Sequence, residues 1–334
     1  MASSDRQQNL VDTFGRRIDY VRLSVTDRCN LRCRYCMAED MTFLPRRDLL
    51  TLEELAELGE HLVRRGVTRI RITGGEPLVR RGILGLFRDL GSMIGRGLDE
   101  VTVTTNGTEL PKMAAELHSA GVRRINVSLD TLDAEKFAHI TRRGNLSQVL
   151  KGIDAARTAG LKIKLNMVAM KGVNDDEFAE MAAWCAANGL DLSIIETMPL
   201  GEVEGDRSDT YLPVAAARDA IEERFDLVPS LHRTGGPSRY FELSDTGSRV
   251  GFISPLSNNF CAGCNRIRIA ATGTIYGCLG HDQKVELRDI MREGGTVALD
   301  EALDRLIAGK PERHDFDINR VQPAVARHMS VTGG

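Results

Sequence analysis

Three cysteines near the start of the sequence are spaced in a way that can bind iron. Cys29, Cys33 and Cys36 form the pattern C-x3-C-x-Tyr-C within residues 27–37. Three thiolates can hold three irons of a four-iron cluster, whereas a fully ligated cluster takes four. Because no other cysteine follows nearby, the pattern predicts a cluster with one iron left open for a ligand that is not protein.

Two other interpretations of these cysteines are open. Offsets of zero, four and seven also place three side chains on one face of a helix, which would make them core thiols. The charged residues between them, and the strand-like run Val21–Val25 just before, favour a loop after a strand instead. Zinc is the second alternative, although zinc sites commonly pair cysteines as C-x2-C and use four ligands.

A second group of three cysteines lies in the last quarter of the sequence. Cys261 and Cys264 form a C-x2-C pair, and Cys278 follows after thirteen intervening residues. This spacing is typical of a cluster or a zinc site. His281 is close enough to be a fourth ligand, so a Cys3His zinc site is the alternative to a second four-iron cluster.

The composition is that of a globular protein with ordinary charge. The 334 residues suffice for one large domain and a smaller one, and a formal net charge of −3 argues against bulk nucleic-acid binding. No apolar run reaches membrane-spanning length, and Met1–Leu10 lacks an apolar signal core. We therefore expect a cytoplasmic protein with reduced thiols, no nucleic acid and no membrane. The seventh cysteine, Cys185, is interpreted as a core thiol.

The elements that would position these cysteines alternate between strands and helices. Helical stretches such as Thr51–Arg65 separate the apolar runs, and glycines stand at several helix ends. Six such units imply parallel pairing, either in an open doubly wound sheet or in an incomplete barrel, with ligands at the C-terminal ends of the strands. The apolar runs are Val21–Val25, Arg69–Thr73, Val101–Thr104, Arg124–Leu129, Lys162–Val168 and Leu192–Thr197.

After Pro199 the pattern changes, which predicts a smaller second domain. The helical run Val214–Arg224 is followed by short strand-like runs with turns between them. Those runs are Tyr240–Leu243, Val250–Ile253, Ile267–Ala270 and Thr274–Gly277.

The first cysteine loop and the turn Gly74-Gly75-Glu76-Pro77 together resemble the signature of the radical S-adenosylmethionine superfamily. Alone, the turn would be interpreted as a tight strand-to-helix connection. The resemblance implies that S-adenosylmethionine chelates the open iron of a 4Fe-4S cluster and is cleaved reductively to a 5′-deoxyadenosyl radical. The cofactor contacts that it implies are Tyr35, Gly75, Ser128 and Met198.

From about Phe14 to Gly334 the chain resembles one family of that superfamily, the GTP 3′,8-cyclases of molybdenum cofactor biosynthesis. The resemblance implies an α/β fold, an incomplete (β/α)6 TIM-type barrel with a smaller C-terminal α+β domain. The family's C-terminal Gly-Gly is thought to enter the cavity between the two clusters. The expected segments are a flexible N-terminus 1–13, the radical barrel 14–199, an auxiliary-cluster domain 200–325 and a tail 326–334.

The same resemblance assigns the second 4Fe-4S cluster to the substrate. Its open iron is expected to anchor the purine of GTP, while forked guanidinium donors suit the triphosphate. Many relatives carry arginine where this chain has Ser193, so one basic contact is absent or supplied from elsewhere. The expected GTP contacts are Arg22, Arg71, Thr104, Lys164, Arg266 and Arg268, with Arg69 as a weaker candidate.

The implied reaction converts GTP to (8S)-3′,8-cyclo-7,8-dihydroguanosine 5′-triphosphate. The family also implies a homodimer, a reductant protein and product hand-off to a downstream pyranopterin monophosphate synthase. Two alternatives are kept. One is a radical enzyme with an auxiliary cluster that modifies a peptide, although such enzymes tend to carry more C-terminal cysteines. The other is a non-enzymatic metal-binding protein, which leaves the Gly-Gly-Glu-Pro turn unexplained.

Overall fold

The computed structural model describes residues 9–201, 207–319 and 323–332. Within these ranges the chain forms twelve strands and ten α-helices, numbered here in chain order. The strands are β1 Tyr20–Ser24, β2 Arg69–Thr73, β3 Glu100–Thr105, β4 Arg124–Ser128, β5 Lys162–Ala169, β6 Asp191–Glu196, β7 Leu227–Pro229, β8 Arg239–Leu243, β9 Arg249–Ile253, β10 Arg266–Ile269, β11 Thr274–Tyr276 and β12 Lys284–Glu286. The helices are α1 Leu52–Arg64, α2 Ile83–Gly91, α3 Leu110–Ser119, α4 Ala134–Thr141, α5 Leu146–Thr158, α6 Phe178–Ala187, α7 Arg207–Thr210, α8 Val214–Glu222, α9 Gly295–Ala308 and α10 Met329–Thr332.

The first six strands lie side by side in sequence order and all pair in parallel. Helices connect them, which confirms the predicted α/β fold class of an incomplete TIM-type barrel. Local sequence signals set the boundaries of α1. Thr51 is the N-cap residue of a capping box at its start, and Gly66, which follows its end, has a φ of 89°. The C-terminal ends of these strands therefore meet at one edge.

The C-terminal residues extend the same sheet at both sides. Strand β10 pairs in parallel with β1, and β9 pairs in parallel with β6. Antiparallel strands β11 and β12 continue one side, and β8 and β7 continue the other. The segment that carries the second cysteine group is thus placed next to the strand that leads into the first. The division between 14–199 and 200–325 stays a prediction.

The central strands have one apolar face and one polar face. Ile163, Leu165 and Met167 of β5 belong to the hydrophobic core, whereas Lys164 and Asn166 alternate with them. The same alternation holds in β1, β2 and β10. Burial of each large apolar side chain contributes about 1.5–3 kcal/mol, so the core fixes which residues face away from it.

The structured part of the chain begins before the predicted start at Phe14. Leu10 is 1% exposed in the core, and Asp12 forms a buried ion pair with Arg16 at 2.6 Å. Residues 1–8 of the predicted flexible N-terminus lie outside the described residues. None of the described helices is both long and apolar enough to cross a membrane.

Candidate active site

The first cysteine group lies in the loop that follows β1. Cys29, Cys33 and Cys36 are free thiols, and all three line one cavity at the C-terminal ends of the strands. The backbone N–H of Cys36 donates to the carbonyl of Cys33 at 2.9 Å, which closes a tight turn. The backbone N–H of Leu31 donates to the Sγ of Cys29 at 3.4 Å. The predicted loop after a strand is therefore present, and the three cysteines do not form a helical row.

The Gly-Gly-Glu-Pro turn lies directly against this loop. The N–H of Gly75 donates to the carbonyl of Thr26 at 2.8 Å, and that of Glu76 donates to the carbonyl of Arg28 at 2.8 Å. A Cβ on Gly75 would lie 2.4 Å from the carbonyl oxygen of Arg28. Only glycine allows this approach, so the turn locks the end of β2 onto the cysteine loop.

Glu76 is the buried end of this connection. Its carboxylate accepts hydrogen bonds from the N–H groups of Leu78 and Asn106 and from the hydroxyl of Thr105, at 2.6–3.0 Å. Burial raises the pKa of Glu76 to about 7, although these hydrogen bonds oppose the rise. These hydrogen bonds join the turn after β2 to the end of β3.

The four expected cofactor contacts, Tyr35, Gly75, Ser128 and Met198, all line the first cavity. The Tyr35 hydroxyl donates to Asp130 at 2.9 Å, which connects the cysteine loop to the segment that follows β4. Thr104 also lines this cavity and not the one where GTP was expected. Its buried hydroxyl has no hydrogen-bond partner among the described residues.

The thiols of the first group are partly buried. Burial raises the pKa of Cys29 to about 11 and that of Cys36 to about 12, and it raises the pKa of Cys33 as well. Cysteine ligates metal as thiolate, and positively charged iron offsets this cost. Three free thiols on one cavity wall therefore fit a cluster with three protein ligands.

The second cysteine group borders a second cavity. Cys261 and Cys264 lie in the turn before β10, and Cys278 follows β11. All three are free and line the cavity. His281 does not line it, and its Nε2 lies 2.9 Å from the carbonyl of Arg313.

The arrangement of the described side chains bears on the choice between zinc and a cluster. Throughout the described ranges, no three His, Cys, Asp or Glu side chains are arranged to hold a single metal ion. Zinc draws its ligands to about 2.0–2.3 Å from one point, whereas a four-iron cluster places each sulfur on a different iron. The geometry around His281 gives the Cys3His zinc alternative no support.

Four arginines and one lysine line the second cavity, and no acidic residue is among its described lining. Burial, together with repulsion from neighbouring arginines, lowers the pKa of Lys164 to about 7. Burial lowers the pKa of Arg22 to about 10 and that of Arg268 far below its usual range. The five residues are Arg22, Arg71, Lys164, Arg266 and Arg268.

Few protein groups compensate these charges. The Nε atoms of Arg22 and Arg266 have no hydrogen-bond partner among the described residues. Lys164 donates to the hydroxyl of Tyr240 at 3.1 Å, and the guanidinium of Arg71 lies 5.6 Å from the ring centroid of Tyr20. A cavity of this kind can bind a polyanion that supplies the absent negative charge.

The two cavities share part of their walls. Asn166, Ile195 and Met198 line both of them. Asn166 and its neighbour Asn126, whose amide lies 3.3 Å from it, were not among the predicted residues. These two asparagines could have been found in the sequence as polar residues that alternate with apolar residues in β4 and β5.

The last described segment reaches the first cavity. Met329 and Ser330 line it together with the three cysteines of the first group. Arg327 donates to the carbonyls of Leu279 and His281 at 2.7 and 2.6 Å, beside the second cysteine group. Gly333 and Gly334, the predicted end of the tail, lie outside the described residues.

Two further predicted positions lie away from the second cavity. Ser193 is buried, and its hydroxyl lies 3.0 Å from that of Ser238. Arg69, the weaker candidate, forms an ion pair with Asp19 at 3.5 Å and is not among the lining residues. The serine thus replaces a cation with a neutral hydrogen-bonded pair.

Comparisons with known proteins agree with this arrangement. The sequence matches the family models "Radical SAM superfamily" over residues 23–185 and "Molybdenum Cofactor Synthesis C" over residues 190–316. It is 57% identical over 336 residues to a GTP 3′,8-cyclase from Erythrobacter litoralis, covering 100% of both chains. It is 55% identical to one from Rhizobium etli, covering 97% of this chain and 94% of the relative.

Solved structures share the fold. Streptococcus suis SuiB matches with a TM-score of 0.62 and 16% identity, over 87% of this chain and 68% of that one. SuiB bound to S-adenosylmethionine matches with a TM-score of 0.59 and 17% identity, over 94% and 77%.

Proposed function

The chain belongs to the GTP 3′,8-cyclase family, and from this premise we propose that it converts GTP to (8S)-3′,8-cyclo-7,8-dihydroguanosine 5′-triphosphate in molybdenum cofactor biosynthesis. The observation that supports this function best is the pair of cysteine-bearing cavities with common walls at Asn166, Ile195 and Met198. Two bound molecules in these cavities would be direct neighbours.

The cysteines fit two 4Fe-4S clusters with three protein ligands each. Cys29, Cys33 and Cys36 would hold the first, which also takes S-adenosylmethionine. The second would be held by Cys261, Cys264 and Cys278. When bound, the clusters and the cofactor supply the radical chemistry.

The residues of the chain position and separate the two reactants. The five cations of the second cavity bind the triphosphate, since guanidinium groups donate in pairs to phosphate oxygens. Tyr35, Gly75, Ser128 and Met198 hold the cofactor in the first cavity. Ile195 and Met198 at the shared wall are apolar and exclude water from the reacting region.

An anaerobic turnover assay tests this function. The reconstituted protein is incubated with GTP, S-adenosylmethionine and a reductant, and the products are oxidised to a fluorescent pterin-type derivative. We expect the derivative with GTP and none when GTP or the cofactor is left out. Cofactor cleavage without any GTP-derived product would contradict the cyclase assignment.

The family relationship leaves the peptide-modifying enzyme and the non-enzymatic metal protein without support. The homodimer, the reductant protein, hand-off to a pyranopterin monophosphate synthase and the cytoplasmic location remain predictions. Size-exclusion chromatography with light scattering tests the homodimer.

A further inference from the structure

One buried cation beside the second cysteine group belongs to neither cavity wall. Lys310 follows the C-terminal end of α9 and is 2% exposed. A buried ammonium group is costly unless it is paired. In the part of the chain that the structure describes, its Nζ has no carboxylate partner. It donates instead to the carbonyl of Gly277 and to the Sγ of Cys264, the latter at 3.6 Å.

The backbone of Lys310 lies next to the segment that carries Cys278. A Cβ on Gly277 would lie 3.5 Å from the Cα of Lys310, which is ordinary contact. The ammonium group therefore bridges two parts of the cysteine site, the C-x2-C turn and the strand end before Cys278.

The charge of Lys310 faces a sulfur that must be a thiolate to bind iron. Charge and hydrogen bonds at the sulfurs are among the factors that set the reduction potential of an iron–sulfur cluster.

We propose that Lys310 is a positioning residue of the second cluster: it donates to the Cys264 sulfur, holds the Cys278 segment through Gly277, and raises the reduction potential of that cluster. The inference rests on the proposed ligand set Cys261, Cys264 and Cys278. It is separate from GTP binding, because Lys310 is not a lining residue of the second cavity.

The test isolates the second cluster in the full-length chain. Cys29, Cys33 and Cys36 are replaced by alanine, the protein is reconstituted with iron and sulfide, and the midpoint potential is measured by a titration followed by electron paramagnetic resonance. Adding Lys310→Met should make reduction about tenfold less favourable, the scale of a lost hydrogen bond to a charged group. For a one-electron couple this is a fall of about 59 mV.

Lys310→Arg keeps the positive charge and should restore most of the potential. If Lys310→Met does not fold, the potential is measured on Lys310→Gln instead. The glutamine amide can still donate a hydrogen bond, while the positive charge is gone. The matched control is Arg65→Met, since Arg65 is also a buried cation but pairs with Asp300 and Asp304 between α1 and α9. It should lower the thermal unfolding temperature without changing the potential.

The outcomes separate the two proposals. Equal potentials with lysine and methionine at position 310, in protein that holds about four irons per chain, would overturn the role of Lys310 alone. A parent protein that binds no iron after reconstitution would overturn the ligand set of the second cluster, and this inference with it.

Discussion

The two cavities differ in the charges that line them. No lysine or arginine is among the described residues that line the first cavity, which contains Glu196. The second is lined by five lysines and arginines and, within the same described ranges, by no acidic residue. S-adenosylmethionine is positive at its sulfonium, and the triphosphate of GTP is a polyanion. Under the proposed function, the lining charges would therefore direct each molecule to its own cavity.

The difference arises from one sheet. Lys164 faces the second cavity, and Asn166, two residues later on the same face of β5, borders both cavities. A step of two residues along a strand is about 6.6 Å. The cavity that a residue lines therefore depends more on its position along a strand than on which strand it belongs to.

The largest expected effect comes from removing a ligand of the first cluster. Cys33→Ala should abolish turnover and reduce iron from about eight to about four per chain. GTP binding should persist, because its cations are in the other cavity. The anaerobic turnover assay, iron analysis and equilibrium dialysis with GTP check these three results.

The control for this change is Cys185→Ala, since Cys185 is 2% exposed in the core and lines neither cavity. The iron content of Cys185→Ala should equal that of the protein with the natural sequence. Loss of all iron in Cys33→Ala would show that the two sites do not assemble independently.

Arg266→Ala should have the next largest effect. It should weaken the use of GTP by roughly 1.5–3 kcal/mol, the range for a hydrogen bond to a charged group, without changing iron content or cofactor binding. Arg69→Ala is the matched control, because Arg69 is paired with Asp19 outside the cavity lining. Measurement of kcat/KM for GTP in both variants tests this prediction. An unchanged kcat/KM in Arg266→Ala would show that Arg266 does not contribute to the GTP site.

The lowered pKa of Lys164 predicts proton uptake when GTP binds. At pH 8 the free side chain is mostly neutral, since its pKa is about 7. The triphosphate favours the charged form, so binding should take up about one proton per chain and weaken as pH rises above 7. Calorimetry in buffers of different ionisation enthalpy measures this uptake.

Lys164→Arg should bind GTP with no such uptake, because arginine stays charged. Equal uptake in both proteins would assign the proton to another group. In the ligand-free protein, the Lys164 contribution to the free energy of unfolding should rise with pH between about 7 and its ordinary value of 10.5, because the unfolded chain binds more protons there.

The smallest expected effect compares two threonines on β3. Thr104→Val should weaken binding of S-adenosylmethionine by about 0.5–1.5 kcal/mol and leave GTP unaffected, because Thr104 lines the first cavity. Thr102→Val should instead weaken GTP binding, since the Thr102 hydroxyl accepts from the Nε of Arg71 at 3.1 Å. Dissociation constants for both ligands test the pair. If Thr104→Val weakened GTP binding and Thr102→Val weakened cofactor binding, the assignment of the two ligands to the two cavities would be wrong.

The sequence predicted local features well. The β2 boundaries Arg69–Thr73 and the helix start at Thr51 agree with the structure, because short-range periodicity and capping chemistry determine them. The strands β7 and β12, each three residues long, were not predicted. Such short runs carry too little periodic signal.

Non-local geometry could not be predicted from these patterns. Period-two alternation shows which face Thr104 occupies, but its depth relative to Lys164 depends on the register of β3, β4 and β5. The pairing of β10 with β1 joins residues more than two hundred positions apart. The expectation that Arg266 and Arg268 face the same cavity as Arg22 therefore came from the family resemblance, and the structure brings them together.

The common wall formed by Asn166, Ile195 and Met198 has a thermodynamic consequence. Whichever rotamers the first-bound molecule selects are the ones that the second molecule meets. Any coupling between the two ligands through these side chains must be reciprocal: the factor by which GTP changes the affinity for S-adenosylmethionine equals the factor by which S-adenosylmethionine changes the affinity for GTP.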